Sequence, residues 1–396
     1  MHKLKICFTS NSSPWTRFHG GGQVFVHNLA QNLGKLGHNV TVLYTGPAYN
    51  PPTISASCNY KVEWALYFGY PFTPKFRQLN SFTVYQKLKY LNKKQNYEIV
   101  NTIGGEALFI PKFCRETGAK LYVSIEHPNL GAIRSNFKWG KPLQSLINIL
   151  RRRDLSICRY VCGRADGVIT PSLFTKNQAI EYFKLNASKI RVIYHGIIDN
   201  MLIENQKTRN RNATGPILFF GRLEPQKGID LLIKAYHRMV SQRFITEQSL
   251  VLIGTGPYEK DYRRLVNNLG IADRVVFKGW QSPEHIKDQL ADASLCVLPS
   301  RSESFGLTMA ETLSQNVPLV TTSSGSIPEV VDHGRVAWMA KPNDLDSLFQ
   351  TIRKALENYQ ESLRKAACGR EHVTSNFSWQ KAAKDYEQFY LDTMRN

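Results

Sequence analysis

Two cations stand five residues apart in the loop Gly221-Arg222-Leu223-Glu224-Pro225-Gln226-Lys227-Gly228, which follows the apolar run Ile217–Phe220. Arg222 offers a planar fork of donors and Lys227 a point charge, a pair able to grip a diphosphate from two sides. Standing alone, such a loop is equally a solvated turn with incidental charges. A second constellation, Ser300-Arg301-Ser302-Glu303-Ser304-Phe305-Gly306-Leu307-Thr308-Met309-Ala310-Glu311, follows the run Leu295–Pro299. Glu303 falls in a loop at a strand end, and Glu311 lies inside the next helix, about 9 Å further along. The first free N–H groups of that helix, around Phe305, Gly306 and Leu307, suit a phosphate. Ionised carboxylates accept hydrogen bonds and sugar hydroxyls donate them. The two acids therefore suit a sugar on one side of a diphosphate and a ribose on the other. Between these motifs, Gly254-Thr255-Gly256-Pro257 either admits close backbone approach to a ligand or simply makes a tight turn.

These loops need strands and helices to hold them. The chain is 396 residues long, 42% hydrophobic and 11% aromatic, enough for two packed cores and too much for a disordered or fibrous chain. The apolar run Lys3–Thr9, a polar loop ending in Gly20-Gly21-Gly22, and Val24, Phe25, Leu29, Leu33 and Leu36 at helical spacing precede a second strand, Val40–Tyr44. Strand, glycine loop, helix and strand make a βαβ unit, and such units build parallel sheets. Leu121–Ile125, Gly167–Thr170 and Ile190–Tyr194 read as further strands of that sheet. A polar run over 200–215 reads as a linker. After it the alternation restarts, with strands at Ile217–Phe220, Leu250–Ile253, Arg274–Phe277, Leu295–Leu298 and Pro318–Thr321 separated by helical spacing. The expected fold is α/β, with two Rossmann-like doubly wound domains at 1–199 and 216–376. Trp379, Ala382, Ala383, Tyr386, Phe389 and Tyr390 predict a terminal helix over 377–396 that buries its aromatic face in core or interdomain packing rather than serving a cofactor.

Composition removes several function classes. No stretch reaches the ~18 unbroken apolar residues of a membrane span, and the first residues lack the apolar region of a signal peptide, which predicts a cytoplasmic chain. Seven scattered cysteines without paired spacing read as reduced thiols. The net charge of +20 is uneven: residues 1–200 hold 26 basic and 9 acidic side chains, a net of +17. That half is expected to meet something anionic, or else to be a merely basic surface. A nucleic-acid-binding role lacks any helix-turn-helix, zinc or RNA-recognition motif.

Taken together, the ordered motifs resemble the family-four retaining glycosyltransferases of two-Rossmann (GT-B) architecture. Gly20-Gly21-Gly22-Gln23, Gly221–Gly228, Glu303–Glu311 and Gly325-Ser326-Ile327-Pro328-Glu329 match that family's motifs, across nearly the whole chain and best from 215 to 335. The resemblance implies two domains facing an interdomain cleft, with the terminal helix crossing back to the N-terminal domain. It also implies that Arg222 and Lys227 bind the donor diphosphate and that Glu303 holds the transferred sugar, aided by backbone amides from Ser304 to Leu307. Glu311 would bind the nucleotide ribose, Gly279-Trp280 would read the base, and Gly21 and Gly22 would bind substrate. His127, in Ser124-Ile125-Glu126-His127, would face the reacting centre from the N-terminal domain. Two departures stand out: Asp332–Trp338 replaces an Asn-Gly-containing strand, and Thr312–Asn316 replaces smaller residues.

The resemblance further implies a nucleoside-diphosphate sugar as co-substrate, with a UDP-sugar the default and GDP-mannose the alternative. A nucleotide-sugar epimerase of the same architecture is the rival enzyme; a phosphorylase would need a pyridoxal-phosphate lysine, for which there is no signature. No cofactor is expected. Asp344-Leu345-Asp346 has the letters of a metal motif, but the helical run behind it makes helix capping the better reading. The acceptor, a glycan or lipid-linked molecule, is expected on the basic half. Two stretches there, Pro74–Lys94 and Arg134–Arg159, mix apolar periodicity with a cationic rim. They read either as ordinary core-facing helices or as a peripheral contact with anionic membrane at its cytoplasmic face.

Overall fold

A computed structural model of the chain describes residues 2–10, 21–47, 58–68, 77–103, 107–126, 156–202 and 213–395. The chain divides into two compact units, Met1–His195 with Trp379–Asn396, and Gly196–Ser378.

The first unit is built on a parallel sheet of β1 (Lys5–Ser10), β2 (Asn39–Pro47), β3 (Lys61–Tyr67), β4 (Ile99–Ile103), β5 (Lys120–Ser124), β6 (Gly167–Thr170) and β7 (Ile190–Val192). Their order is β3-β2-β1-β4-β5-β6-β7, with Ile6 opposite Val40 on one side and Ile99 on the other. The period-two alternation of a strand sends Ile6 and Phe8 to one face and Cys7 to the other. The first face is covered by helices Gly21–Lys35 and Trp379–Arg395, through Phe25, Leu29, Leu33, Trp379, Tyr386 and Tyr390. The second is covered by Arg77–Gln95, Ile110–Thr117 and Leu173–Phe183. The terminal helix is thus core, as its aromatic spacing predicts. Its tyrosines also satisfy polar groups of β4 and β5: Asn101 donates to the Tyr390 hydroxyl at 2.7 Å, and the Ser124 and Tyr386 hydroxyls lie 3.1 Å apart.

The second unit carries β8 (Ile217–Phe220), β9 (Leu250–Ile253), β10 (Val275–Gly279), β11 (Leu295–Leu298), β12 (Leu319–Thr322) and β13 (Trp338–Ala340). They form a parallel sheet in the order β10-β9-β8-β11-β12-β13. The order reverses between β8 and β11, and it is at such a switch point, beyond the carboxyl ends of the strands, that open α/β sheets bind ligands. The loops behind those two strands are the cationic loop and the Glu303 loop.

Five strands of the second unit fall within a residue or two of their sequence-based positions; β3, β4 and β13 have no counterpart in the sequence reading. Of the polar run 200–215, residues 203–212 lie outside the described residues. Its first residues close a short helix, Asp199–Leu202, in which Met201 is buried and its carbonyl accepts the Ser314 hydroxyl at 2.9 Å.

Candidate active site

The loops after β8, β9 and β10 are stitched together by their own backbones. Gly221 N–H donates to the Ile253 carbonyl at 3.0 Å, Leu223 N–H to Thr255 at 2.9 Å, and Gly254 N–H to Gly279 at 2.7 Å. Such approach requires glycine at 254, where φ is +133° and an added Cβ would lie 1.9 Å from the Gly221 carbonyl oxygen. Gly256 is held against Leu223 in the same way. The Gly254–Pro257 segment is therefore a tight inter-loop contact.

Behind β8 the chain makes a single 3₁₀ turn, Pro225–Lys227, with Pro225 setting its first φ. Gly228, left-handed at φ +70°, then opens helix Ile229–Ser241. This turn delivers Lys227 to Glu303 across the switch point, with Nζ 2.7 Å from Oε1. The Ser300 hydroxyl donates to the same oxygen at 2.7 Å. The two side chains are only 17% and 6% exposed, so the pair is poorly screened by water. The Glu303 main chain is pinned as well, its carbonyl accepting from Ser326 N–H and Ser326 Oγ at 3.2 Å each. Arg222 behaves differently: its guanidinium is 55% exposed and pairs with Glu224 at 3.0 Å. One of the two expected cations thus meets the candidate acid directly, and the other turns to a neighbour on its own loop.

Ser304 and Phe305 are buried, and Gly306, at φ +100°, starts helix Leu307–Ser314 without a side-chain cap. The orphan N–H groups of its first turn carry the positive end of the helix dipole. Glu311 lies on this helix, half-buried, and among the described residues nothing donates a hydrogen bond to its carboxyl. Burial pushes that carboxyl up to about 7. Because the folded state then holds the proton more tightly than the unfolded chain, the stability from Glu311 is complete below the ordinary glutamate range and is lost as pH rises through about 7. If the carboxylate receives ribose hydroxyls, nucleoside-diphosphate affinity should rise between pH 6 and 8, and Glu311→Gln should flatten the profile in titrations across that range. Trp280 follows Gly279 at the end of edge strand β10 and is 59% exposed.

The remaining candidates belong to the first unit. Gly21 and Gly22 open helix Gly21–Lys35, so this helix begins inside the predicted glycine loop. His127 lies outside the described residues. Its neighbour Glu126 is described, and its Oε2 sits 3.0 Å from Nε2 of His195. The His195 ring stacks against both Phe25 and Trp379, at centroid distances of 4.8 and 5.8 Å, and those two rings also meet at 5.9 Å. The sequence reading passes over His195; its only signal there is a place just behind the run Ile190–Tyr194. It also quotes Ser300 and Ser326 without a role, because serines of this kind carry no signal until their acceptors are known.

The metal-like letters resolve into local structure. Asp344 caps helix Leu345–Glu357, accepting from Ser347 N–H at 2.8 Å, and Asp346 pairs with Arg238. Among the described residues no group of three or more His, Cys, Asp or Glu is placed to hold a metal ion.

Comparison with known proteins identifies the family and the fold. The sequence profile described as "Glycosyltransferase Family 4" matches residues 19–200, and "Glycosyl transferases group 1" matches residues 203–371. The N-acetyl-alpha-D-glucosaminyl L-malate synthase of Bacillus anthracis is 26% identical over 61% of this chain and 63% of its own length. The chain thus spans under two thirds of that relative. The sucrose-phosphate synthase structure from Thermosynechococcus elongatus shares the fold with a TM-score of 0.83 at 21% identity, covering 99% of this chain and 100% of the other. HepE from Anabaena, solved in complex with UDP-glucose, does so with a TM-score of 0.75 at 18% identity, over 99% of both chains. With the two profiles covering adjoining halves and the fold shared from end to end, the chain belongs to the family 4, GT-B retaining glycosyltransferases.

Proposed function

We propose that this protein transfers a hexose or N-acetylhexosamine from a UDP-sugar to a hydroxyl of a glycan or lipid-linked acceptor, with retention at the anomeric carbon, in cell-surface polysaccharide or glycolipid synthesis. The observation that carries this reading is the Lys227–Glu303 contact at the β8/β11 switch point, beside an uncapped helix start. An arriving diphosphate competes for Lys227, draws its ammonium onto a phosphate oxygen, and frees the Glu303 carboxylate for sugar hydroxyls. Arg222, exposed on the same loop, swings from Glu224 to the second phosphate. The bond from the anomeric carbon to the phosphate oxygen then breaks, and its electron pair leaves with the diphosphate. Arg222, Lys227 and the amides of 305–307 stabilise that charge where a divalent cation would otherwise serve. The acceptor oxygen bonds to the same face of the sugar and gives its proton to the departing phosphate oxygen. For His127, which lies outside the described residues, the family resemblance implies a role in this step.

Uridine is favoured because a structure with the same fold was solved with UDP-glucose. A thermal-shift panel of nucleoside diphosphates, run with a chelator present, should show the largest rise with UDP. Donor turnover should then release UDP only when an acceptor hydroxyl is added. A response to GDP alone would move the donor to GDP-mannose, and turnover lost with the chelator would overturn the metal-free step.

The acceptor reading adds a surface. Among the described residues no helix is long and apolar enough to cross a membrane. In the first unit, exposed Leu66, Phe68, Leu79 and Phe82 gather where β3 ends and helix Arg77–Gln95 begins. They are tied there by Asn80, which accepts from Phe68 N–H at 2.8 Å, and by Thr83, which donates to the Leu66 carbonyl at 2.6 Å. Lys93 and Lys94 lie in the last turn of that helix. The apolar cluster at one end of the helix suits contact with a lipid surface, and the lysines at its other end suit anionic headgroups at the cytoplasmic leaflet; most of the second stretch, Arg134–Arg159, lies outside the described residues. Co-sedimentation with phosphatidylglycerol vesicles should fall by about tenfold in a Leu79→Ser, Phe82→Ser double variant, and also with added salt. Binding unchanged by either would remove the membrane from this proposal.

A further inference from the structure

We propose that Arg301 is a positioning residue for Lys227, one that sets the Pro225–Gly228 turn in place before any donor arrives. The inference rests on the donor-site reading above and concerns a side chain that it leaves without a role.

Arg301 sits two residues before Glu303, on the loop behind β11, yet its guanidinium crosses to the loop behind β8. Nη1 donates to the Pro225 carbonyl and, at 2.8 Å, to Asp230 Oδ1. Nη2 donates to Asp230 Oδ2 at 2.8 Å, and Nε to Asn343 Oδ1 at 2.6 Å. The main chain adds two rungs: Arg301 N–H donates to the Gln226 carbonyl at 2.7 Å, and Gln226 Nε2 returns to the Ser302 carbonyl at 2.9 Å. Both residues that precede Lys227 therefore give their carbonyls to Arg301. Asp230, three residues after it, lies in the first turn of helix Ile229–Ser241, where a carboxylate is favoured by the dipole.

A fork-to-fork contact fixes angle as well as distance, which a lysine at 301 would not do. With Nε, Nη1 and Nη2 committed to Asn343, to the Pro225 carbonyl and to both oxygens of Asp230, the guanidinium acts through the backbone that carries Lys227. The same residue also belongs to the segment that presents Glu303, so one guanidinium sets the spacing between the cation and the acid. A displacement of about 1 Å in such a site is enough to cost up to ~100-fold in rate.

The test pairs a ligand-free measurement with a binding cycle. In the apo protein, hydrogen exchange at the Lys227 and Gly228 amides, which donate to the Glu224 and Pro225 carbonyls, should quicken about tenfold in Arg301→Ala and less in Arg301→Lys. UDP titrations are then run on Arg301→Ala with Lys227 present and with Lys227→Ala. The loss should be about tenfold in the first background and under about twofold in the second, as expected for a residue acting through its partner. An equal loss in both backgrounds, or unchanged exchange at those two amides, overturns the proposal. Should Lys227→Ala alone leave UDP binding intact, the donor-site reading fails, while the exchange data still decide whether Arg301 holds the turn. If Arg301→Ala does not fold, Arg301→Lys and Asp230→Asn supply the same comparison.

Discussion

Lys227→Ala should lower kcat/KM for the nucleotide-sugar donor by about a thousandfold, equivalent to ~4 kcal/mol of transition-state stabilisation. Lys227 is the cation that the fold delivers to the switch point, and in the proposed reaction its ammonium meets the charge of the leaving group. The substitution has a second effect. It takes the ammonium away from Glu303, whose side chain is 6% exposed and also accepts the Ser300 hydroxyl at 2.7 Å. Removing one partner of a buried pair costs more than removing both, here up to about 3 kcal/mol of stability. The double variant Lys227→Met, Glu303→Gln should therefore recover most of the lost melting temperature while staying inactive. Urea denaturation and steady-state kinetics on the two variants check both halves. A Lys227→Ala protein with near-normal kcat/KM would remove the diphosphate role, and equal stability losses in the single and double variants would remove the ion pair as a structural element.

Gly254→Ala should be nearly as damaging by another route. At φ +133° a side chain is strained whatever the space around it, and the new Cβ would be 1.9 Å from a backbone oxygen of Gly221. Backbone does not rotate away as a side chain does. The β8 and β9 loops must part, which breaks the bonds from Gly221 to Ile253 and from Leu223 to Thr255. A loss of about 3 kcal/mol or more follows, with donor binding weakened because the loop bearing Arg222 is the one displaced. Denaturant midpoints and UDP titrations measure the two effects. A variant with wild-type midpoint and affinity would show that the loops are not held this closely.

Much of this arrangement is legible in the sequence, and the limits have physical causes. Gly221–Gly228 and Glu303–Glu311 could be placed at strand ends because β8 and β11 are short, wholly buried apolar runs. β4 hides because Asn101 and Thr102 interrupt its apolar run; both are buried, with Asn101 satisfied by Tyr390 from the other end of the chain and Thr102 by Thr9. β3 hides because it is an edge strand with a mixed pattern, Glu63 and Trp64 side by side. β13 is three residues long and sits where the family's usual motif is replaced. The pairing choices were the least legible. That Lys227 would meet Glu303 while Arg222 turned to Glu224 depends on a single 3₁₀ turn, and that turn depends on Arg301, seventy-odd positions away in sequence.

The helix Trp379–Arg395 closes one face of the first sheet, and this sets the order in which the protein can be completed. On a ribosome, β1 to β7 emerge early, with Phe25, Tyr122 and their neighbours lacking the aromatic partners they bury in the finished molecule. The whole second unit must be synthesised before those partners appear. The unit that is begun first cannot be finished until the second has been made, and a nascent chain has to shelter that uncovered face while residues 196–378 are translated.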